Sequence, residues 1–144
     1  MADITVAATD VRPPNLIQTL TRRFALGGAA NIGNIVYVAA DGDVEQADAS
    51  AVGSAQGIGV IVAINGTQQT SGVAGDTVDV ALFGPVVWGS GMTPGAVVYV
   101  SETAGAGDQT APSGGANYPY VIGRALTATM LFVDPQNTVP AVST

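Results

Sequence analysis

Short apolar runs rich in Val, Ile and Tyr, most of them closed by a turn containing Gly or Asn, recur about every 8–12 residues from Ile35 to Asp134. That punctuation leaves no room for a sustained helical period, and it constrains the chain to an all-β sandwich or barrel. The runs are 35–40 (IVYVAA), 44–48 (VEQAD), 58–64 (IGVIVAI), 77–83 (TVDVALF), 85–89 (PVVWG), 97–101 (VVYVS), 120–126 (YVIGRAL) and 129–134 (TMLFVD). Asp41-Gly42 and Asn65-Gly66 carry the hairpin signals between them. In 77–83 the residues alternate: Val78, Val80 and Leu82 face one side, Thr77, Asp79 and Ala81 the other.

The pattern is stated twice. Gly33–Val38 and Gly95–Val100 both read Gly-x-x-Val-Tyr-Val. Placing Tyr37 on Tyr99 brings Ile58-Gly59-Val60 near Ile122-Gly123-Arg124, with a shift of two residues. Two related β-units inside one domain explain this, and so does convergence of short Val/Tyr strands. The core expected from these runs is Val36, Tyr37, Val38, Ile58, Val60, Val78, Val80, Leu82, Val98, Val100, Ile122, Leu131 and Phe132, with Tyr99 in a core-like position.

The ends read differently. Pro13-Pro14 excludes both helix and inner-strand pairing. Residues 1–23 are therefore expected to form an extended N-terminal arm, 24–135 the β domain, and 136–144 a short polar tail. The stretch 16–26 fits a short helix or a strand, and Thr19-Leu20-Thr21 and Phe24 favour strand. The apolar run Ile4–Ala8 suits strand addition to a neighbouring sheet.

Composition narrows the chemistry. The 144 residues include no His, no Cys and no Lys; the four basic residues are Arg12, Arg22, Arg23 and Arg124, against eleven acids, for a net charge of −7. Disulfides and thiolate metal sites are excluded. Nucleic acid is an unfavourable partner, because phosphate binding rests on Lys and Arg, and an anionic membrane is unfavourable for the same reason. No apolar run approaches the roughly 18–20 residues needed to cross a bilayer as a helix, and MADITVAATD has no signal-peptide character. Synthesis in a cytoplasm is the expectation.

Catalytic constellations fail one by one. No serine lies in a Gly-x-Ser-x-Gly elbow, and no His, Cys or Lys is present to serve as its base. The acids are turn residues apart from Asp79, which reads as an outward residue of an alternating strand. Asp41–Glu45 starts like a calcium loop, but Gln46 and Val52 occupy the positions that need Gly and Glu. The glycine stretches 72–76 and 89–95 lack the Gly-Lys-Ser/Thr of a phosphate loop. The expectation is no enzyme, no cofactor and no metal. Candidate partner-binding residues are Arg12, Arg22 and Arg23, suited to carboxylates on a partner, and Trp88, a core or interface anchor.

The order of features resembles a known family. An Arg-Arg-Phe (22–24) precedes the run from Ala29/Ala30 to Ala49, then Ile-Gly-Val (58–60), Gly-Asp-x-Val-Asp-Val-x-x-Phe-Gly (75–84), Thr-Pro-Gly-x-x-Val-Tyr-Val-Ser (93–101) and a close at 122–135. Over about residues 20–136 this resembles the capsid decoration, or cement, proteins of tailed bacteriophages. The resemblance implies an all-β virion protein on the capsid exterior that binds the major capsid protein, forms a homotrimer and stabilises the head lattice. The alternative it leaves open is a tail-tip or fibre β-module that binds host-surface carbohydrate. No catalytic residues are implied by it.

Overall fold

The computed structural model describes residues 3–14, 18–114, 116–139 and 141–142. Its strands are β1 (Leu20–Ala25), β2 (Ala30–Asn31), β3 (Ile35–Val38), β4 (Val44–Gln46), β5 (Gly59–Ile64), β6 (Ser71–Gly72), β7 (Thr77–Val87), β8 (Val97–Val100), β9 (Gly107–Asp108), β10 (Val121–Ala125) and β11 (Met130–Val133). A single 3-10 turn at Ala8–Asp10 is the helical element among the described residues. The chain is an all-β single domain. Nine strands form one strongly curled, antiparallel half-barrel sheet, and β2 and β6 form a small second sheet.

The long strand β7 organises the sheet. The sequence pattern places a break at Gly84-Pro85, but the strand runs through it. Thr77–Phe83 lies between β5 and β1, while Gly84–Val87 pairs with β11. Gly84 sits at φ +114°, and a Cβ there would press on the backbone of Gln18 and Thr19. Pro85 has no N–H to give a ladder, and its carbonyl instead accepts from Thr19 Oγ1 at 2.7 Å.

Counting β7 in both, the halves read β4-β3-β5-β7-β1 and β9-β8-β10-β11-β7. The strand order is the same, and the register matches at several corresponding pairs, although register shifts at Leu20/Thr21, Ile61/Ala63 and Val121/Gly123 have no counterpart in the other half. Tyr37 faces Glu45 as Tyr99 faces Asp108. Val36 faces Gly59 as Val98 faces Gly123. The two glycines share a physical cause: a Cβ on Gly59 would drive into the Ala81 carbonyl, and one on Gly123 into the Phe132 carbonyl. The obstacle in each case is backbone, which cannot swing aside as a flexible side chain can.

The core lies inside the curl. Val36, Val60, Val78, Val80, Val98, Val100, Ile122 and Leu131 are buried, as their alternation predicts. Tyr37, Ile58 and Leu82 are half-buried against it, Phe132 is half-buried, and Val38 is exposed. Ala81, expected on the polar side, is fully buried: its register partner Val60 lies on the same face and is fully buried too, so this part of that face is covered. Leu26, Ile32, Ile35, Val44, Ile61 and Ile64 complete the filling.

The N-terminal segment is extended but does not project. It lies along the second half, with Ile4 N–H donating to the Gly107 carbonyl and Thr5 bridging Ser90. Arg12 and Val87 exchange both backbone hydrogen bonds, at 3.1 and 2.8 Å. Ile4, Val6 and Ala8 pack on the core, and Val11 is fully buried. Strand addition by this arm is thus made to the chain's own sheet, since burying Val11 and the backbone of β7 removes apolar surface and an open edge together. β1 begins at Leu20, within the stretch the sequence pattern assigns to the arm.

Two outcomes follow for stability. Gly59→Ala and Gly123→Ala should each cost about 3 kcal/mol in urea unfolding, whereas Gly53→Ala, with open space around it, should stay within about 0.5 kcal/mol; unequal losses at 59 and 123 would argue against their equivalence. Val11→Ala should lower stability by about 2 kcal/mol against little change for the exposed Thr9→Ala, and equal melting temperatures would mean the arm is not part of the core.

Candidate docking surface

The candidate residues from the sequence separate into three environments. Trp88 is 1 % exposed, and its Nε1–H donates to the Gly33 carbonyl at 2.8 Å. It is a core anchor with its one polar atom satisfied, so the surface it was expected to offer a partner is spent inside the domain. Arg12 is exposed beside Val87, with Nη1 donating to the Asp10 carbonyl. Arg22 and Arg23 are exposed on β1, in the other half of the sheet. The three arginines therefore do not form one cluster on a free arm.

β1 itself is unusual. All its residues are exposed except half-buried Phe24, although it pairs with β7 along its whole length. Successive side chains point to opposite faces. Arg23 Nε donates to Asp79 Oδ1 at 3.0 Å, and this bond, followed by the carboxylate's charge, raises the guanidinium pKa further. Both groups are open to solvent, so the pair adds little to stability and is screened by salt. Arg22 lies on the other face, its guanidinium 4.8 Å from the centre of the Phe24 ring.

Beside the arginines an apolar strip crosses the sheet. Leu20 is 61 % exposed and faces Phe83, itself 48 % exposed. The Phe83 and Phe132 rings meet edge to face at 5.2 Å. Phe132 then forms one wall of a groove of about 190 Å³ lined also by Val97, Val121, Leu126 and Arg124. Single exposed apolar residues are ordinary on a soluble surface, but a contiguous row is characteristic of a contact face. Phe83 and Phe132 rest on central strands, and Leu20 extends the strip onto the edge strand β1.

Phe83 and Leu20 are absent from the sequence-derived candidates, yet one signal for Phe83 is present in TVDVALF. With Val78, Val80 and Leu82 in phase, Phe83 falls on the face of Thr77 and Asp79. A large aromatic ring on a polar face is a contact residue until a neighbour covers it. Leu20 carries no such signal, because its exposure depends on β1 lying at the sheet's edge.

Acidic residues serve local turns. Asp43 N–H donates to Asp41 Oδ1, Ser50 N–H to Asp48 Oδ1, and Thr110 N–H to Asp108 Oδ1, the Asx geometry that stabilises tight turns. Among the described residues no group of three or more His, Cys, Asp or Glu side chains converges as a metal site would require. No helix among them is long and apolar enough to cross a membrane.

Two phenols respond to their surroundings. Burial pushes the Tyr120 hydroxyl above its ordinary pKa, and the group donates to the Gln136 carbonyl. Tyr37 is raised by burial first, then by the nearby charges of Glu45 and Asp41.

Comparison with known proteins gives no match: no family model and no curated protein is similar to this chain.

The raised phenols set the alkaline behaviour. An unfolded tyrosine ionises near pH ~10, before the folded one, so the stability present below that pH is lost as pH rises through the folded values. The urea midpoint should fall as pH rises above about 10, and Tyr120→Phe should flatten that fall; an unchanged alkaline slope in the variant would contradict the assignment.

Proposed function

We propose that the chain is a virion structural protein that binds the outside of a phage head and stabilises the lattice of the major capsid protein. The observation that carries this reading is the apolar row of exposed Leu20 and Phe83 with half-buried Phe132 on one sheet. Aromatic anchors flanked by arginine are what energetically dominant contact residues look like. The ordered motifs between residues 20 and 136, with their resemblance to capsid decoration proteins, supply the identity of the partner.

The physical logic is mass action. A protein that binds the assembled shell and not its separated subunits stabilises the shell by the free energy of that binding. A homotrimer would place three copies of the strip on one symmetric patch and add avidity without new contacts. With Trp88 buried in the monomer, the Leu20–Phe83 row is the face on which trimer or capsid contacts would be made. The net charge of −7 keeps such a protein soluble before assembly.

The test uses purified heads lacking the protein, to which wild type or the Leu20→Ala/Phe83→Ala variant is added, with bound copies counted by gel densitometry. Wild type should saturate the heads. The variant should stay folded, losing only the edge-to-face ring contact, worth about 0.5–1.5 kcal/mol, yet bind at least about tenfold more weakly. Equal occupancy by both proteins would remove the strip from the account, and failure of wild type to bind any head would remove the function.

A further inference from the structure

The two halves of the sheet end differently. In the second half the outermost strand is the Gly84–Val87 part of β7, and its free edge is covered by the chain's own N-terminal segment through Arg12. In the first half the outermost strand is β1. Just past its C-terminal end β4 meets this edge, where Leu26 bridges Val44 and Gly27 N–H donates to the Val44 carbonyl; among the described residues no strand pairs with the outer edge over Thr21–Arg23.

The registers make these two edges equivalent at three successive positions, up to the register shift between Leu20 and Thr21. Gly59 and Gly123 approach the carbonyls of Ala81 and Phe132. Thr21 faces Ala81 as Pro85 faces Phe132, Arg22 faces Val80 as Val86 faces Leu131, and Arg23 faces Asp79 as Val87 faces Met130. Arg23 therefore occupies the position of Val87. Val87 turns both its N–H and its C=O outward, to Arg12. In an antiparallel strand the outward-facing pairs alternate with those turned toward the neighbour. By this equivalence Arg23 presents the same donor and acceptor to solvent.

We propose that the outer edge of β1 is a docking strand that accepts an extended, acidic segment of another protein, in the way the β7 edge accepts residues around Arg12. Charge selects the occupant. Arg22 and Phe24 share one face of β1, beyond the register shift between Leu20 and Thr21, so the incoming strand meets a cationic and an apolar position in turn. Its complement carries an acidic residue with an apolar one two positions away. Arg22 has no carboxylate partner among the described residues, and it is the group a glutamate on the added strand would meet. A second copy of β1 fits poorly. Antiparallel self-pairing about the centre of Leu20–Ala25 sets arginine against arginine, which is the repulsion that keeps edge strands from joining one another. The inference does not depend on the capsid reading: it concerns the chemistry of the segment, whatever protein carries it.

The experiment is a nuclear magnetic resonance titration of the full chain with an end-blocked peptide, Thr-Val-Thr-Glu-Thr-Val-Thr, and its counterpart with Lys in place of Glu. The acidic peptide should shift the amide resonances of residues 20–25 and slow exchange of the Arg23 amide. It should bind about fivefold or more tightly than the lysine peptide at low salt, with the difference shrinking as salt is added. Arg22→Glu, which breaks no ion pair, should reverse the preference. Three results would overturn the proposal: equal binding of both peptides, shifts confined to the Phe132–Leu126 groove, or a β1-mediated dimer of the chain in sedimentation that excludes the acidic peptide.

Discussion

The fold depends on β7 passing from one half of the sheet to the other without a break. Gly84 permits the turn in direction because a side chain there would meet the backbone of Gln18 and Thr19. Pro85 tolerates the crossing because its carbonyl finds Thr19. One continuous strand therefore closes two five-strand arrangements around a single core, and Trp88, immediately after it, locks that core by reaching the Gly33 carbonyl. Without the shared strand each half would expose buried residues, Val36 and Val60 in one and Val98 and Ile122 in the other, to water.

Edge management follows from the same arrangement. A sheet that does not close fully leaves backbone donors and acceptors at its margins. At Val87 the chain satisfies them with its own extended segment and anchors that segment by burying Val11. At β1 it leaves the edge open over Thr21–Arg23, short of the bridge from Leu26 to Val44, flanks it with Arg22 and Arg23, and sets Leu20 and Phe83 beside it. An edge defended by charge and bordered by exposed aromatic surface is selective: it opposes copies of itself and suits a partner of opposite charge.

Much of the fold was legible because strands announce themselves by period and turns by residue type. The runs at 35–40, 58–64, 97–101 and 129–134 contain β3, β5, β8 and β11, and Asn65-Gly66 adopts the positive φ angles its turn requires. The alternation also found most of the core. What the sequence did not disclose is partnership. Periodicity assigns a residue to a face but does not say whether its strand is central or at an edge, so Ala81 looked outward and is buried, while Val38 looked inward and is exposed. Pro85 reads locally as a terminator, and only the tertiary position of Thr19 allows β7 to continue. Val11, next to Arg12 and Pro13, has no periodic neighbours to mark it as core. The docking strip was partly hidden for a related reason: Phe83 is marked by the polar face it falls on, but Leu20 and Phe132 are apolar residues in strand patterns whose surface position appears only in the tertiary structure.

The equivalence of the two edges, one sealed and one open, is tested most directly by amide hydrogen exchange of the intact, isolated chain. Val87 and Arg23 occupy matching registers, so their difference isolates the covering segment. The account predicts a Val87 amide protected at least about 100-fold more than that of Arg23, which should exchange near the rate of an unbonded amide. Comparable protection at both positions would contradict it, because the edge of β1 would then already be occupied.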